Sequence, residues 1–506
     1  MNSSEARLLA LLGGAKLAIH LAAFRGYGVF RDELYYLACA DHLAWGYVDH
    51  PPLSIGVLWL VRAILGDSLL VLRLAAGLAG AAAVVVTALL AREMGGGRRA
   101  MALAGIASLA SPELLGVESF YSMNALDVLL WSVAALLLAR LVTRQTPATW
   151  LLLGTVLGLG LLNKISVLWL AAGIGVAVLA TPLRRSLATP WPYLAGALAL
   201  VLFAPYVLWE IANGFPTREF IRNASAEKMA RTTPIAYLLA SARSMGPFSL
   251  PLWLAGIADL LAGREGRRFR ALGLAWLAVL AILVANGTSR TSYLAASYAI
   301  VFAAGGVAVT RLADRLAWKW LTPAYAALLL AGGVITAPFA LPLLPVERFL
   351  AYQRALAVEP GTEERKRVGP LPQHFADRFG WEELAQMTAG AFRTLSAEER
   401  ASCVVYAGNY GEAGAIDRFG PALGLPRAIS GHNNYWLWGP GAERPRVALV
   451  IGGSRVRLLQ LFASVEEGAR FRHPLVMPYE NDQPIHVCRG PKQSLAALWP
   501  GVKHFD

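Results

Sequence analysis

Two adjacent carboxylates, Asp32 and Glu33, sit in the stretch Phe30-Arg31-Asp32-Glu33-Leu34-Tyr35-Tyr36, and a second acid with an imidazole follows in Tyr47-Val48-Asp49-His50-Pro51-Pro52. A carboxylate can take a proton from a hydroxyl or amine, or hold a divalent cation. A histidine beside it can bind metal or donate to a phosphate. Neighbouring residues on a helix point roughly 100° apart, so Asp32 and Glu33 need not share one task. Plainer roles are open to the same residues: acids at a helix N-terminus are favoured by its dipole, and Asp49 can be a cap beside a surface His50. Asp32, Asp49 and His50 together offer a donor set for a divalent cation, and no other motif calls for a cofactor.

Further polar side chains interrupt apolar segments. Asp127 lies about six residues, on the order of 9 Å along a helix, inside one of them. An acid at that depth is costly and is a functional candidate, the structural alternative being a partner on another helix. Glu118, Tyr121 and Asn124 stand just above and can line the same cavity. Lys164 follows Asn163 at a turn between two apolar segments, where it can neutralise a lipid-linked phosphate as a point charge or snorkel to the interface. Arg218 and Arg222, four apart, can clamp a phosphate or diphosphate, or only solvate their loop. Arg290 and Tyr293 repeat the offer at a later turn, and Tyr36 adds an aromatic hydroxyl beside the first acids. Lys16 and His20 share a helix face and read as structural or snorkelling residues.

The elements that must position these residues follow from composition. The 506-residue chain is 56% hydrophobic and 16% charged, with mean hydropathy +0.48, which fits a polytopic membrane protein. Spans of about 20 apolar residues fall near 7–24, 68–91, 100–117, 122–142, 148–162, 165–182, 190–210, 234–262, 269–286, 291–310 and 318–344, about eleven in all. The N-terminus lacks a small-residue cleavage site and reads as a retained first helix. The net charge is +13, but the basic residues cluster in short loops between spans, which is the bias of cytoplasm-facing loops and argues against nucleic acid as a partner. Arg92/Arg98/Arg99, Arg140/Arg144, Arg184/Arg185, Arg264/Arg267/Arg268/Arg270 and Arg311/Arg315/Lys319 all fall on one side if the N-terminus is cytoplasmic. The chemically interesting loops then face the other side.

Residues 32–44 and 53–65 have the spacing of short helices lying along the membrane surface, broken by Pro51-Pro52. After Pro345 the charge becomes ordinary, and a small extracytoplasmic α/β domain is expected over 346–506. Its strands are expected at 403–407 and 447–451, its helices at 383–395 and 412–419. The turn 408–414 can cradle an anion or simply join strand to helix. The aromatic and amide residues of 430–439 suit carbohydrate contact or docking of the domain. Three cysteines with no CxxC exclude a disulfide framework and leave a Cys403–Cys488 bridge open.

Asp32-Glu33, Asp49-His50-Pro51-Pro52, Asp127 and Asn163-Lys164, in this order and sidedness, resemble the GT-C membrane glycosyltransferases. The nearest likeness is the family 39 group of protein O-mannosyltransferase-like proteins and bacterial aminoarabinose transferases. The resemblance covers residues 1–345, the transmembrane catalytic part. It implies a multi-pass inner (cytoplasmic) membrane enzyme with its active site on the extracytoplasmic face. Such an enzyme moves a sugar from a polyprenyl-phosphate donor to a lipid, glycan or protein acceptor, by a single displacement with inversion. Carried over, Asp32 is the acceptor-side base or its positioner with Glu33 beside it, Asp127 is the second acid, and Lys164 contacts the carrier phosphate. The aminoarabinose transferases tend to have Glu-Lys before Pro-Pro. Here Asp49-His50 stands instead, so that phosphate contact falls to a partly charged His50, or to Lys164 and the loop arginines Arg218, Arg222 and Arg290. The rival class is a transporter or lipid flippase, whose polar groups gather near the bilayer midplane.

Overall fold

The computed structural model describes residues 2–441 and 445–506. The chain divides into two compact units: one of residues up to Gly26, His50–Ile211 and Arg231–Leu344, the other of Tyr27–Asp49, Ala212–Ala230 and Pro345–Asp506. The stretches 27–49 and 212–230, which composition groups with the membrane part, thus belong to the unit of the tail.

The first unit is helical, and each of the expected apolar stretches lies on a helix or a helix pair. Among the described residues six helices are long and apolar enough to cross a membrane, or up to eight if two bent pairs each count as one span. The sequence-based expectation of about eleven is therefore not matched by length and composition. Two of its spans are sharply bent: Pro234–Ser244 turns by 98° into Pro247–Ala262, and Val167–Ala180 by 96° into Pro182–Ala188. The cause of the first is local, since Gly246 takes φ +97° and Pro247 follows it, a pair that cannot continue a helix.

The arginine-bearing helix ends meet in space. Arg92 pairs with Glu5 at 3.2 Å, Arg99 with Asp314 at 2.6 Å and Arg311 with both Asp259 at 3.1 Å and Glu265 at 3.0 Å. Glu93 accepts the Thr143 hydroxyl at 2.8 Å, and Arg270 reaches the Ala180 carbonyl at 3.5 Å.

Lys16 does not snorkel. Its ammonium is fully buried and pairs with Glu118 at 2.6 Å, with His20 3.8 Å from the same carboxylate oxygen. Glu118 therefore serves the first helix. Its carboxylate fits because residue 80 is glycine: a Cβ there would lie 2.6 Å from Glu118 Oε2. Removing one partner of a buried pair strands the other charge, at a cost of about 3–5 kcal/mol, whereas replacing both by apolar groups is often neutral. Lys16→Met should therefore lower the thermal midpoint in detergent markedly, and Lys16→Met/Glu118→Leu should recover most of it. Equal losses in the single and double variants would show that the pair itself holds the helices.

The second unit is built on a five-stranded sheet: β1 (Cys403–Ala407), β2 (Ala428–Ser430), β3 (Val447–Ile451), β4 (Phe462–Phe471) and β5 (Gln483–Pro491), in the order β2-β1-β3-β5-β4. β1 is parallel to β2 and β3, and β5 runs antiparallel to β3 and β4. All five residues of β3 are buried, as the unbroken run Val-Ala-Leu-Val-Ile demands. β4 and β5 were not expected from the sequence, because Glu466, Glu467 and Gly468 interrupt the alternation of β4. Cys403 and Cys488 are both free. β3 lies between their strands, about two strand spacings or roughly 9–10 Å, beyond the reach of a disulfide.

Candidate active site

In the second unit the helix expected over 32–44 runs Arg31–Asp41, and every residue from Glu33 to Ala40 is buried, so it is packed within protein and not laid along a surface. Glu33 is fully buried, and its carboxylate accepts the Phe30 N–H at 2.8 Å, closing the first turn. Asp32 points elsewhere: its side chain keeps 35% of its exposure and accepts the Tyr410 hydroxyl at 2.9 Å. Arg31 is inserted beneath. It donates to the Tyr479 hydroxyl at 2.7 Å and lies 3.6 Å from both Asp377 and Asp32. Two glycines make this approach possible. A Cβ on Gly414 would lie 2.8 Å from Leu34 Cβ, and one on Gly411 2.6 Å from Arg31 Cγ.

This explains the turn 408–414. Its N–H groups are taken by the chain itself: Gly408 donates to Glu412 at 2.6 Å, while Gly411 and Glu412 donate to Asn409 Oδ1. The turn joins strand to helix and offers close packing, with these three donors spent inside the turn. Burial raises Glu412, the facing Glu480 adding to the shift, and burial raises Glu480 against the pull of Arg31.

Asp49 accepts the Tyr35 hydroxyl at 3.0 Å. Asn434 accepts the Val48 N–H at 2.7 Å and lies 3.0 Å from the same hydroxyl. His42 stacks on Trp438 with ring centroids 4.2 Å apart. The 430–439 segment thus holds the loop 42–48. Tyr36 is buried and packs edge-on to Tyr35. Arg218 and Arg222 lie exposed on the helix Pro216–Asn223, without ion-pair partners among the described residues. Thr217 and Glu219 of that helix tie it to the Tyr47 carbonyl and to Lys503.

The membrane unit brings together Asn124, Asp127, Lys164 and Tyr293. Lys164 caps the helix Pro147–Asn163 in an extended conformation, which turns its side chain away from the helix it ends. Its ammonium donates to Asn124 Oδ1 at 2.7 Å, lies 3.6 Å from Asp127 Oδ2 and stands 5.1 Å over the Tyr293 ring. Asp127 also accepts from Ser166 at 3.3 Å, and its other oxygen is buried without a hydrogen bond. Asn163 fixes the corner by donating to the Met123 carbonyl at 2.8 Å. Tyr121 donates to the Ser54 carbonyl at 2.6 Å. Arg290 opens the helix Thr291–Ala295, with its carbonyl accepting from Tyr237 at 3.3 Å. His50 is fully buried and its Nδ1 donates to the Pro51 carbonyl at 3.0 Å.

Among the described residues one group of three side chains is close enough to share an ion, His432, His504 and Asp506. It contains none of Asp32, Asp49 and His50. The fit is poor. His432 Nδ1 accepts the Tyr410 N–H at 3.3 Å, so its proton sits on Nε2, which donates to Asp506 at 3.0 Å. A metal ligand needs the reverse, a bare nitrogen toward the ion and an N–H toward an acceptor.

A family model described as dolichyl-phosphate-mannose-protein mannosyltransferase matches residues 49–209. Over 326 residues the chain is 24% identical to the lipid A galacturonosyltransferase RgtD of Rhizobium johnstonii, covering 63% of this chain and 67% of that protein. The crystal structure of ArnT from Cupriavidus metallidurans in the apo state superimposes with TM-score 0.61 at 16% identity, over 96% of this chain and 98% of that one. The same protein bound to undecaprenyl phosphate gives TM-score 0.59 at 14% identity, over 94% and 97%. These likenesses together support a GT-C glycosyltransferase of the family 39 kind, and the likeness to ArnT shows its fold. In this glycosyltransferase, which uses a lipid-linked donor, the matched stretch includes Asp127 and Lys164 and begins beyond Asp32 and Glu33.

Sequence reading missed the residues around Arg31 in the glycosyltransferase. Tyr410, Asp377 and Tyr479 come from three separate parts of the tail, and only the glycines of 408–414 hinted that something packs there. Burial pushes Asp377 up to about 7 against the pull of Arg31, with Asp32, Glu480 and Glu364 adding to the rise. A carboxyl raised on folding binds its proton more tightly in the folded state. Its contribution is full below the unfolded value near about 3.9 and is lost as pH rises toward 7, a change of up to about 4 kcal/mol. Unfolding of the full chain measured from pH 4 to 7 should show Asp377→Asn gaining on the wild type as pH rises. Parallel curves would mean that Asp377 is already ionised at pH 4.

Proposed function

We propose that this glycosyltransferase moves a sugar from a polyprenyl-phosphate carrier to an extracytoplasmic acceptor by a single inverting displacement. The acceptor's oxygen or nitrogen bonds to the anomeric carbon as its proton passes to Asp32. The bond from that carbon to the phosphate oxygen breaks, and the carrier phosphate leaves with the electron pair toward Lys164. Supporting this reading above all is the Lys164 ammonium. It has one short hydrogen bond, to Asn124, and a looser 3.6 Å contact with Asp127, which leaves donor capacity for a phosphate oxygen. A charge held ready in a buried site needs no reorganisation when the leaving group develops its own.

The remaining roles follow. Asp127 keeps the buried ammonium charged and placed, and Glu33 fixes the helix start from which Asp32 projects. Tyr121, Asn124 and Tyr293 shape the phosphate end. Arg218 and Arg222, exposed four residues apart, with Arg290 and His50, are the further groups toward the donor. Residues 1–345 supply the catalytic membrane part and 346–506 an extracytoplasmic domain, in the inner membrane. The acceptor is a lipid, glycan or protein. A lipid is the first to test, because RgtD is named for action on lipid A, and the carrier is of the kind bound in the ArnT structure.

Transfer from a polyprenyl-phosphate sugar by purified protein, with membrane lipids as acceptors, tests this directly. Asp32→Asn should lower kcat by about 100-fold or more with donor KM little changed. Lys164→Gln should raise donor KM and lower kcat, by about tenfold each, as expected for a charge-assisted contact worth roughly 1.5–3 kcal/mol. Unchanged turnover in folded Asp32→Asn would remove its role as base, and lipid movement across liposomes without sugar transfer would point to the transporter class.

A further inference from the structure

At the end of the membrane unit where the arginine-bearing loops meet, a cavity of about 460 Å³ is lined by Glu93, Arg264, Glu265, Arg268, Phe269 and Arg311 among others. Its charges are unequally matched. Arg311 is engaged by Asp259 and Glu265 and also donates to the Met94 carbonyl at 3.3 Å. Glu265 holds Arg315 as well, at 3.3 Å. Glu93 accepts the Thr143 hydroxyl and lies 3.9 Å from Arg140. Arg264 and Arg268 have no acidic partner among the described residues, and Arg268 rests against the Phe269 ring, 5.7 Å from its centroid. Two guanidinium groups without counter-charge therefore border one cavity. Their planar forks can take the oxygen pair of a phosphate bidentately.

The surroundings say what carries that phosphate. Trp318 and Trp320 are exposed and stacked, with centroids 5.8 Å apart, on the segment that follows Arg315. Exposed tryptophans at helix ends mark the membrane–water interface. Leu261, Leu312 and Leu316 are also exposed on the helices and turn bordering the cavity, an apolar surface on which acyl chains can lie. A phosphate held at this level with hydrocarbon beside it is that of a phospholipid. We propose that the cavity binds the headgroup of an anionic glycerophospholipid, with Arg264 and Arg268 on its phosphodiester. Basic recesses between membrane helices are suited to this use, and the site is separate from the Lys164 cluster and independent of the catalytic reading.

Thermal unfolding of the detergent-purified full chain tests it, with dioleoyl phosphatidylglycerol, dioleoyl phosphatidylcholine or inorganic phosphate added in turn. Phosphatidylglycerol should raise the midpoint saturably, and the other two should not. Arg264→Gln/Arg268→Gln should weaken the apparent affinity for phosphatidylglycerol at least tenfold. Arg184→Gln/Arg185→Gln removes equal charge outside the cavity and should leave the response intact. Native mass spectra should show one fewer retained phosphatidylglycerol in the cavity variant only, a readout that does not depend on the variants' starting stability. An undiminished response in the cavity variant, equal losses in both variants, or full stabilisation by inorganic phosphate or phosphatidylcholine would each overturn the proposal.

Discussion

A charge buried among apolar side chains costs several kcal/mol unless a counter-charge and hydrogen bonds meet it, and the functional parts of this chain are arranged around that constraint. Lys16 meets Glu118, Lys164 meets Asp127, and Arg31 meets Asp377 and the edge of Asp32. The three solutions differ. Lys16 and Glu118 are closed off at 2.6 Å, each charge met by the other. Lys164 and Asp127 stand 3.6 Å apart, with an oxygen of Asp127 left without a hydrogen bond. That second geometry is a pair short of its own partners, as expected where a ligand completes the set.

Around Arg31 the chain concentrates acids instead. Asp32, Asp377, Glu364, Glu412 and Glu480 act on one another or on the single guanidinium. The nest can exist because some members stay protonated, since like charges this close cannot all ionise. Its effect is mechanical. It secures the helix Arg31–Asp41 against Tyr410–Phe419, which glycines keep narrow enough to approach, and leaves Asp32 as the acid that faces outward. Precision of that kind is what the role proposed for Asp32 requires.

Much of this was legible in the residues. Lys164 and Asp127 were legible because polar groups inside apolar runs have few harmless explanations. The partner of Lys16 was not, because Glu118 lies about a hundred residues away and seemed to belong with Asp127, whereas Gly80 opens a recess for it on the other side. The same limit applies to Asp49 and His50. The motif named them, but the Asp49 carboxylate is engaged by Tyr35 and the His50 ring faces its own chain. The edge strand β4 was hidden by Glu466, Glu467 and Gly468, which break its alternation.

Composition and charge patterning alone determined that this is a membrane protein with helical spans, basic residues gathered at one end and a separate α/β tail, because hydropathy and loop charge are local quantities that the bilayer reads segment by segment. The order of short polar motifs determined its resemblance to the GT-C glycosyltransferases. Only the tertiary structure decided that 27–49 and 212–230 belong to the unit of the tail, that Glu33 is a cap while Asp32 is presented, and that two arginines at the basic end border a cavity without counter-charge. Each of those depends on which distant side chain a group meets, and sequence spacing carries no record of that.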